Sequence, residues 1–250
     1  MAAASEVQCR TVGLFDPGKL EQCPDEWGFA WADEDSVLRI GYATNLTPEV
    51  AQEAARRGID LVLTHHNAWP FLYGMAERCA ELLHPRGISH GFFHAPLDDA
   101  DFGTNAALAH RLGLRITGRC ALYRDVFLCG RTGELEQPVD LDAMGDRLEA
   151  ALGETVRVWR HNECPVQKVY IATGGGHMTD LLKEAVDLGC DTYITGEKML
   201  YTIEYARFAG LNLLVGSHTG TELPGTEALA QKVAEICGIK AVLLPEPHVE

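Results

Sequence analysis

Short apolar runs alternate with amphipathic stretches along most of the 250-residue chain, and this alternation restricts the fold more than any other feature. A parallel strand buried on both faces reads as a continuous apolar run, and strands that alternate with helical periodicity are the pattern of βα units. The spacing predicts strands over Val37–Ala43, Leu61–Thr64, Ser89–Phe93, Val126–Cys129, Val156–Trp159, Val169–Ala172, Thr192–Thr195, Leu211–Val215 and Ala241–Leu244. Helices are predicted from Pro48 to Gly58, within Phe71–Leu83, and over Thr104–Leu112, Leu141–Leu152, Met178–Leu188, Leu200–Phe208 and Thr226–Ile236. Thr47 is a good N-cap with Pro48 at the first helical position, and Gly58 and Gly113 are helix-stopping residues. The expected class is α/β with a largely parallel sheet. Gly118–Pro138, rich in Gly and charge and without helical period, is the expected boundary region.

One internal echo stands out. Gly58-Ile-Asp-Leu-Val-Leu-Thr64 is matched in form by Gly189-Cys-Asp-Thr-Tyr-Ile-Thr195, each after an amphipathic helix, and each is followed by a polar pair, His65-His66 or Gly196-Glu197. Either this is what any helix-Gly-Asp-strand unit looks like, or half of the fold is duplicated. In both cases the polar pairs lie just past a strand's carboxyl end, where open α/β sheets place their ligands.

Charge narrows the partners. Lys plus Arg total 21 against 36 Asp plus Glu, a formal net charge of −15, and no basic cluster offers a phosphate-binding face, so a nucleic acid duplex is not expected. No apolar stretch approaches the roughly 20 residues of a spanning helix, and Met1-Ala-Ala-Ala-Ser has no secretory pattern, so the expected location is the cytoplasm without a membrane partner. The eight cysteines include no C-x-x-C pair and are expected to be reduced, mostly buried thiols. There is no G-x-S-x-G elbow and no Cys in a recognisable catalytic setting, which leaves nucleophilic catalysis without support.

Three segments carry chemistry. Adjacent residues of a strand point to opposite faces, so His65-His66 can serve one site only where the strand has ended; the pair is either a metal-binding or a structural one. His94-Ala-Pro-Leu-Asp98-Asp99 follows the next strand, and its carboxylates either bind a metal or cap the helix beginning near Thr104. In Gly216-Ser-His218-Thr-Gly-Thr-Glu222-Leu-Pro-Gly225, the i,i+4 spacing of His218 and Glu222 would share one face of a helix, but Gly220 and Pro224-Gly225 favour a loop before a helix near Thr226. All three segments sit at predicted strand ends. Imidazole and carboxylate together suit Zn, Fe, Mn, Co or Ni, and the five donors His65, His66, Asp98, His218 and Glu222 suit two divalent ions about 3.5–4 Å apart better than one tetrahedral ion. Thr173-Gly-Gly-Gly-His177 lacks a Walker Lys and the G-x-G-x-x-G spacing; it reads as a tight βα turn or a weak anion cradle.

The sequence resembles the GTP cyclohydrolase I type 2 proteins, also called the NIF-three family. The likeness rests on Leu46-Thr-Pro48, Asp60-Leu-Val-Leu-Thr-His65-His66, His94-x-x-Leu-Asp98, the glycines 174–176, Asp191-Thr-Tyr-Ile-Thr-Gly-Glu197 and Ser217-His218-x-x-x-Glu222-x-x-Gly225, in that order. It implies two interlinked α/β lobes, a dinuclear metal site and ring-like homohexamers. The lobes would be residues 1–117 with 212–250, and 118–211. The implied metal ligands are His65, His66, Asp98, His218 and Glu222, with Glu222 bridging. The expected activity is a metal-dependent hydrolase acting on a small, nucleotide-like or cyclic amide molecule; Glu197, by its place at the equivalent strand exit of the second half, is the candidate for proton transfer, and His94 is expected to orient Asp98 or support the ligands. The alternative is a non-catalytic metal-binding, metal-delivery or adaptor protein that works through protein partners. The sequence departs from the family at Asn45, where an acid is frequent, at Asn67 where Pro is frequent, over Lys198-Met-Leu-Tyr201, a stretch that often contains His, and over Glu26-Trp-Gly-Phe-Ala-Trp31.

Overall fold

A computed structural model describes residues 2–30 and 36–249; Trp31, the last residue of the departing N-terminal segment, lies outside them. The chain forms two compact units, one containing the chain up to Ala100 together with Thr226–Val249 and the other Asp101–Gly225. Among the described residues there are ten α-helices and eleven strands in two sheets. The class is α/β.

The first unit contains α1 (Ala4–Val12), α2 (Pro17–Gln22), β1 (Trp27–Ala30), β2 (Arg39–Asn45), α3 (Pro48–Arg57), β3 (Leu61–His66), α4 (Met75–Leu83), β4 (Ser89–Phe93) and the one-turn α5 (Ala95–Asp99). Its sheet runs β1-β4-β3-β2-β11, where β11 is Lys240–Leu243; β2, β3, β4 and β11 are parallel, and β1 closes the edge antiparallel to β4. Thr47 caps α3 by accepting the Val50 N–H, and Gly58 ends it in the left-handed conformation at φ 62°, as their residue types favour. Val50, Ala51 and Ala54 of α3 are fully buried in one cluster with Ala43 and Val62, whereas Phe15, Trp27 and Phe29 gather around the Phe93 ring.

The second unit contains α6 (Thr104–Arg111), β5 (Arg115–Tyr123), β6 (Phe127–Val139), α7 (Leu141–Leu152), β7 (Arg157–Trp159), β8 (Val166–Ala172), α8 (Thr179–Asp187), β9 (Thr192–Thr195), α9 (Leu200–Ala209) and β10 (Asn212–Val215). Helix α10 (His218–Cys237) starts in this unit and ends in the first. The sheet order is β5-β6-β8-β9-β10-β7, and it is mixed: β8, β9 and β10 are parallel, while β5, β6 and β7 pair antiparallel. Gly118–Pro138, expected as a boundary, falls within the β5–β6 hairpin. The segment is a two-stranded antiparallel ribbon, which a search for βα units does not look for.

Helix α10 corrects a second expectation, because it begins at His218 and not near Thr226. Ser217 is its cap: the hydroxyl accepts the Gly220 N–H at 2.8 Å, satisfying one of the orphan donors of the first turn. Pro224 is accommodated inside the helix at the loss of a single hydrogen bond. Gly225 is small for a packing reason, since a β-carbon there would lie 2.3 Å from the Thr104 nitrogen.

All eight cysteines are free thiols. Cys23, Cys79, Cys120 and Cys190 are buried, Cys129 and Cys237 are half-buried, and Cys9 and Cys164 are exposed. Burial pushes the thiol of Cys79 up to about 11 and those of Cys120 and Cys190 up to about 12, so these three are inert packing groups.

Candidate metal centre

In the first unit the donors come from the ends of β3 and β4. Strand β3 extends through His65 and His66, two residues further than the apolar run alone predicts, and the two rings lie 4.5 Å apart. His94 follows β4 and stands 5.0 and 5.2 Å from them. One ring nitrogen from each of the three lies within 4.8 Å of the others. Helix α5 makes one turn, its Asp98 N–H bonded to the His94 carbonyl, and the Asp98 carboxylate comes 3.6 Å from His65 Nε2. Asp99 is diverted: it pairs with Lys19 Nζ at 2.5 Å. Of the two adjacent acids, only Asp98 belongs to the histidine cluster.

The partners of these histidines set their tautomers. His65 Nδ1 lies 2.9 Å from the Phe93 carbonyl oxygen, His94 Nδ1 2.5 Å from Glu26 Oε2 and His66 Nδ1 2.8 Å from Asn45 Oδ1. Carbonyl and carboxylate oxygens only accept, so a neutral ring bonded to one carries its hydrogen on Nδ1 and its lone pair on Nε2. Metal-ligating histidines are held in the same way, by an acceptor on the nitrogen that does not bind the metal.

In the second unit α10 places His218 and Glu222 one turn apart on one face, with His218 Nε2 3.1 Å from Glu222 Oε1. His218 Nδ1 is 2.6 Å from Glu197 Oε1 at the exit of β9, and the other Glu197 oxygen is 3.0 Å from His177 Nδ1. Burial pulls the His218 pKa down, but the adjacent Glu222 and Glu197 outweigh it and raise the imidazole to about 11. Without a metal the ring is therefore a cation at neutral pH, and the proton facing Glu222 occupies ground that a metal cation would compete for. Glu197 is held below the usual carboxylate range by its hydrogen bond to His218, against the opposing effect of burial.

The glycine turn after β8 forms a wall of this cluster. Gly174 has φ 62°, and a β-carbon on it would lie 1.8 Å from Glu222 Oε1 and 2.8 Å from His218 Nε2. Its N–H donates to Thr221 Oγ1 at 2.9 Å. The turn is tight because the backbone must approach the two donor side chains, and only glycine permits both the approach and the φ.

The seven predicted site residues fall into two groups: His65, His66, His94 and Asp98 in the first unit, and Glu197, His218 and Glu222 in the second. Each set is chemically suited to a first-row divalent metal. Three supporting residues were not legible. Asn45 appeared only as a family departure, Glu26 lies 68 positions from its partner His94, and His177 was visible only as the residue ending the glycine turn.

A family model described as Duf34/NIF3 (NGG1p interacting factor 3) matches residues 14–245. A protein of Escherichia coli (strain K12) named GTP cyclohydrolase 1 type 2 homolog is 30% identical over 223 residues, covering 86% of this chain and 87% of its own. A protein of the same name from Pseudomonas aeruginosa is 27% identical over 243 residues, with 94% and 93% coverage. Among solved structures, protein ybgI, described as of unknown function, superposes over 100% of both chains with a TM-score of 0.86 at 27% identity.

Proposed function

Because the chain belongs to the Duf34/NIF3 family, we propose that it is a metal-dependent hydrolase using two divalent ions against a small, nucleotide-like or cyclic amide substrate. His65, His66 and Asp98 of the first unit and His218 and Glu222 of the second are the proposed ligands, and Zn, Fe, Mn, Co or Ni the candidate metals. The observation that carries this reading is the fixed orientation of the ligand histidines: His65, His66 and His218 each have Nδ1 against an oxygen acceptor, which directs Nε2 to the metal.

Such ions, when bound, polarise a substrate and lower the pKa of water towards neutrality. The protein's own groups hold the geometry. Glu197 fixes the His218 ring, and Glu26 fixes His94. Glu197 is 42% exposed while bonded to His218, so it reaches both solvent and ligand and is the proposed proton carrier, with His177 on its second oxygen. The net charge of −15 disfavours a triphosphate, which would call for a concentration of Arg and Lys. A cytoplasmic homohexamer is the assembly we propose on the family likeness.

The test is elemental mass spectrometry on protein purified without chelator. We expect about two transition-metal ions per chain, reduced in His65→Ala and in Glu222→Ala. Turnover of nucleotides and cyclic amides by the loaded protein, lowered in Glu197→Gln, would establish hydrolysis. No metal even after reconstitution with Zn, Mn or anaerobic Fe would overturn the proposal, and metal without turnover would move the function to delivery or partner binding.

A further inference from the structure

The structure places a carboxylate, that of Glu246, behind Asn45. After β11 the chain continues irregularly through Pro245-Glu246-Pro247. Glu246 Oε1 accepts the Thr44 N–H at 2.6 Å, and Oε2 accepts the Asn45 N–H at 3.2 Å and the Asn45 side-chain amide, Nδ2, at 2.7 Å. Asn45 is in turn directly opposite His66 in the β2–β3 register, and its Oδ1 is 2.8 Å from His66 Nδ1. Asn45 and His66 are both buried.

This chain of contacts has one consistent polarity. Two backbone N–H groups point at Glu246, so its oxygens act as acceptors. The nitrogen of the Asn45 amide must therefore face Glu246, and the amide oxygen must face His66. An oxygen against Nδ1 fixes the hydrogen there and leaves the lone pair on Nε2. An asparagine alone does not specify this, because its amide is nearly symmetric in shape and can rotate by half a turn. Rotated, it would donate to Nδ1, move the ring hydrogen to Nε2 and occupy the atom proposed to bind metal.

We propose that Glu246 is a positioning residue for the ligand His66: acting through Asn45, it selects the tautomer that presents Nε2 to a metal. The proposal rests on the metal reading only for its consequence; the tautomer selection is a property of the metal-free chain.

The experiment compares wild type, Glu246→Gln and the double variant Asn45→Asp/Glu246→Gln, in which an acid faces His66 directly and the glutamine can donate to that acid. Nitrogen-15 NMR of the histidines in metal-free protein at mildly alkaline pH, above the ordinary imidazole range, reads the tautomer, with His66 assigned by a His66→Gln variant. Zinc affinity is read by competition with a chelating dye. We expect the Nδ1–H tautomer of His66 in wild type, a tautomer mixture with about 10- to 100-fold weaker zinc binding in Glu246→Gln, and recovery of both in the double variant. A wild-type tautomer and affinity in Glu246→Gln would overturn the proposal. So would equal losses in the single and double variants, which would make Glu246 a clamp on the β2 backbone and nothing more. If wild type binds no zinc, the tautomer alone decides the role of Glu246, and the hydrolase reading stands or falls on the other candidate metals.

Discussion

The segment from β2 to β4 and the segment from β8 to β10 use one scaffold with different residues at its working end. Both run strand, helix, strand, helix, strand with all three strands parallel, and in both a preceding strand, β1 or β7, pads the edge antiparallel to the last. The likeness extends to single hydrogen bonds. Gly58 and Gly189 both turn left-handed, at φ 62° and 72°. The next residues, Ile59 and Cys190, bond back to Ala54 and Ala185. Asp60 Oδ2 accepts the N–H groups of Leu38 and Arg39, and Asp191 Oδ2 those of Gln167 and Lys168. The hypothesis that any helix-Gly-Asp-strand unit looks alike covers the glycine and the aspartate but not the shared edge strand and strand order, which favour a duplicated half.

The difference lies where the strands end. By register Ala43 faces Thr64 and Ala172 faces Thr195, so Thr44-Asn45 and Thr173-Gly174 hold equivalent stations, as do His65-His66 and Gly196-Glu197. Continuing past β4 and β10 in the same way sets His94 against Ser217. The scaffold is repeated and the chemistry is not: where the first segment has a histidine and the amide that orients it, the second has the acid that orients a histidine and a glycine that makes room.

The most severe break in that comparison is Gly174→Ala against Asn45→Gly. The alanine combines a positive φ with overlap against Glu222, and we expect it to cost about 2–4 kcal/mol and to abolish metal retention. Asn45→Gly overlaps nothing but removes the amide between Glu246 and His66, and should cost about 1–2 kcal/mol. Denaturant titrations with metal analysis of each variant check this; equal costs would mean that the two stations are not equivalent in the way the register states.

The pH dependence of the metal-free protein is the next contrast. His218 has its folded pKa raised to about 11, so the native state holds a proton that the unfolded chain releases near 6.5. Its contribution is complete below 6.5 and is lost as pH rises towards 11. His90 on β4 behaves oppositely. Burial lowers it to about 3, so it costs stability as pH falls below 6.5. Glu222→Gln should flatten the alkaline limb of a plot of stability against pH, and His90→Gln the acid limb. If either variant leaves its limb unchanged, that histidine is not responsible for it.

Much of this was legible in advance because it is local. The apolar runs of β3, β4 and β9 and the Thr47-Pro48 and Gly58 signals describe short stretches of chain, and the structure agrees with them closely. His65, His66, His94 and Asp98 can be singled out from the sequence as candidates because strand ends are where such residues gather. What was not legible is long-range or overruled. Glu26 and Glu246 reach their partners across the sequence and leave no periodic trace. By position alone Asp98 and Asp99 are indistinguishable; the family likeness points to Asp98, and in the structure Lys19 pairs with Asp99. Helix α10 was hidden because Pro224 and Gly225 are breakers by propensity, yet the Ser217 cap and packing against Thr104 outweigh them.

Asp60→Ala and Asp191→Ala test the shared part of the scaffold. Each removes a carboxylate serving two backbone N–H groups, and each should cost about 1–3 kcal/mol. Similar losses in denaturant titrations would support equivalence, and a several-fold disparity would break it.

The smallest effect separates the stations of His94 and Ser217, which each begin a helix after a parallel strand. Ser217 caps its helix through its side chain, and His94 makes no such cap bond. Ser217→Ala should therefore cost about 1 kcal/mol of stability, the usual worth of an N-cap, with metal retained. His94→Ala loses no cap, so its effect should fall on metal retention, because Glu26 and not the helix is the partner of that ring. A His94→Ala protein that melts early but keeps its metal would show that the ring is a structural group, and would leave His65 and His66 as the histidine ligands of the first unit.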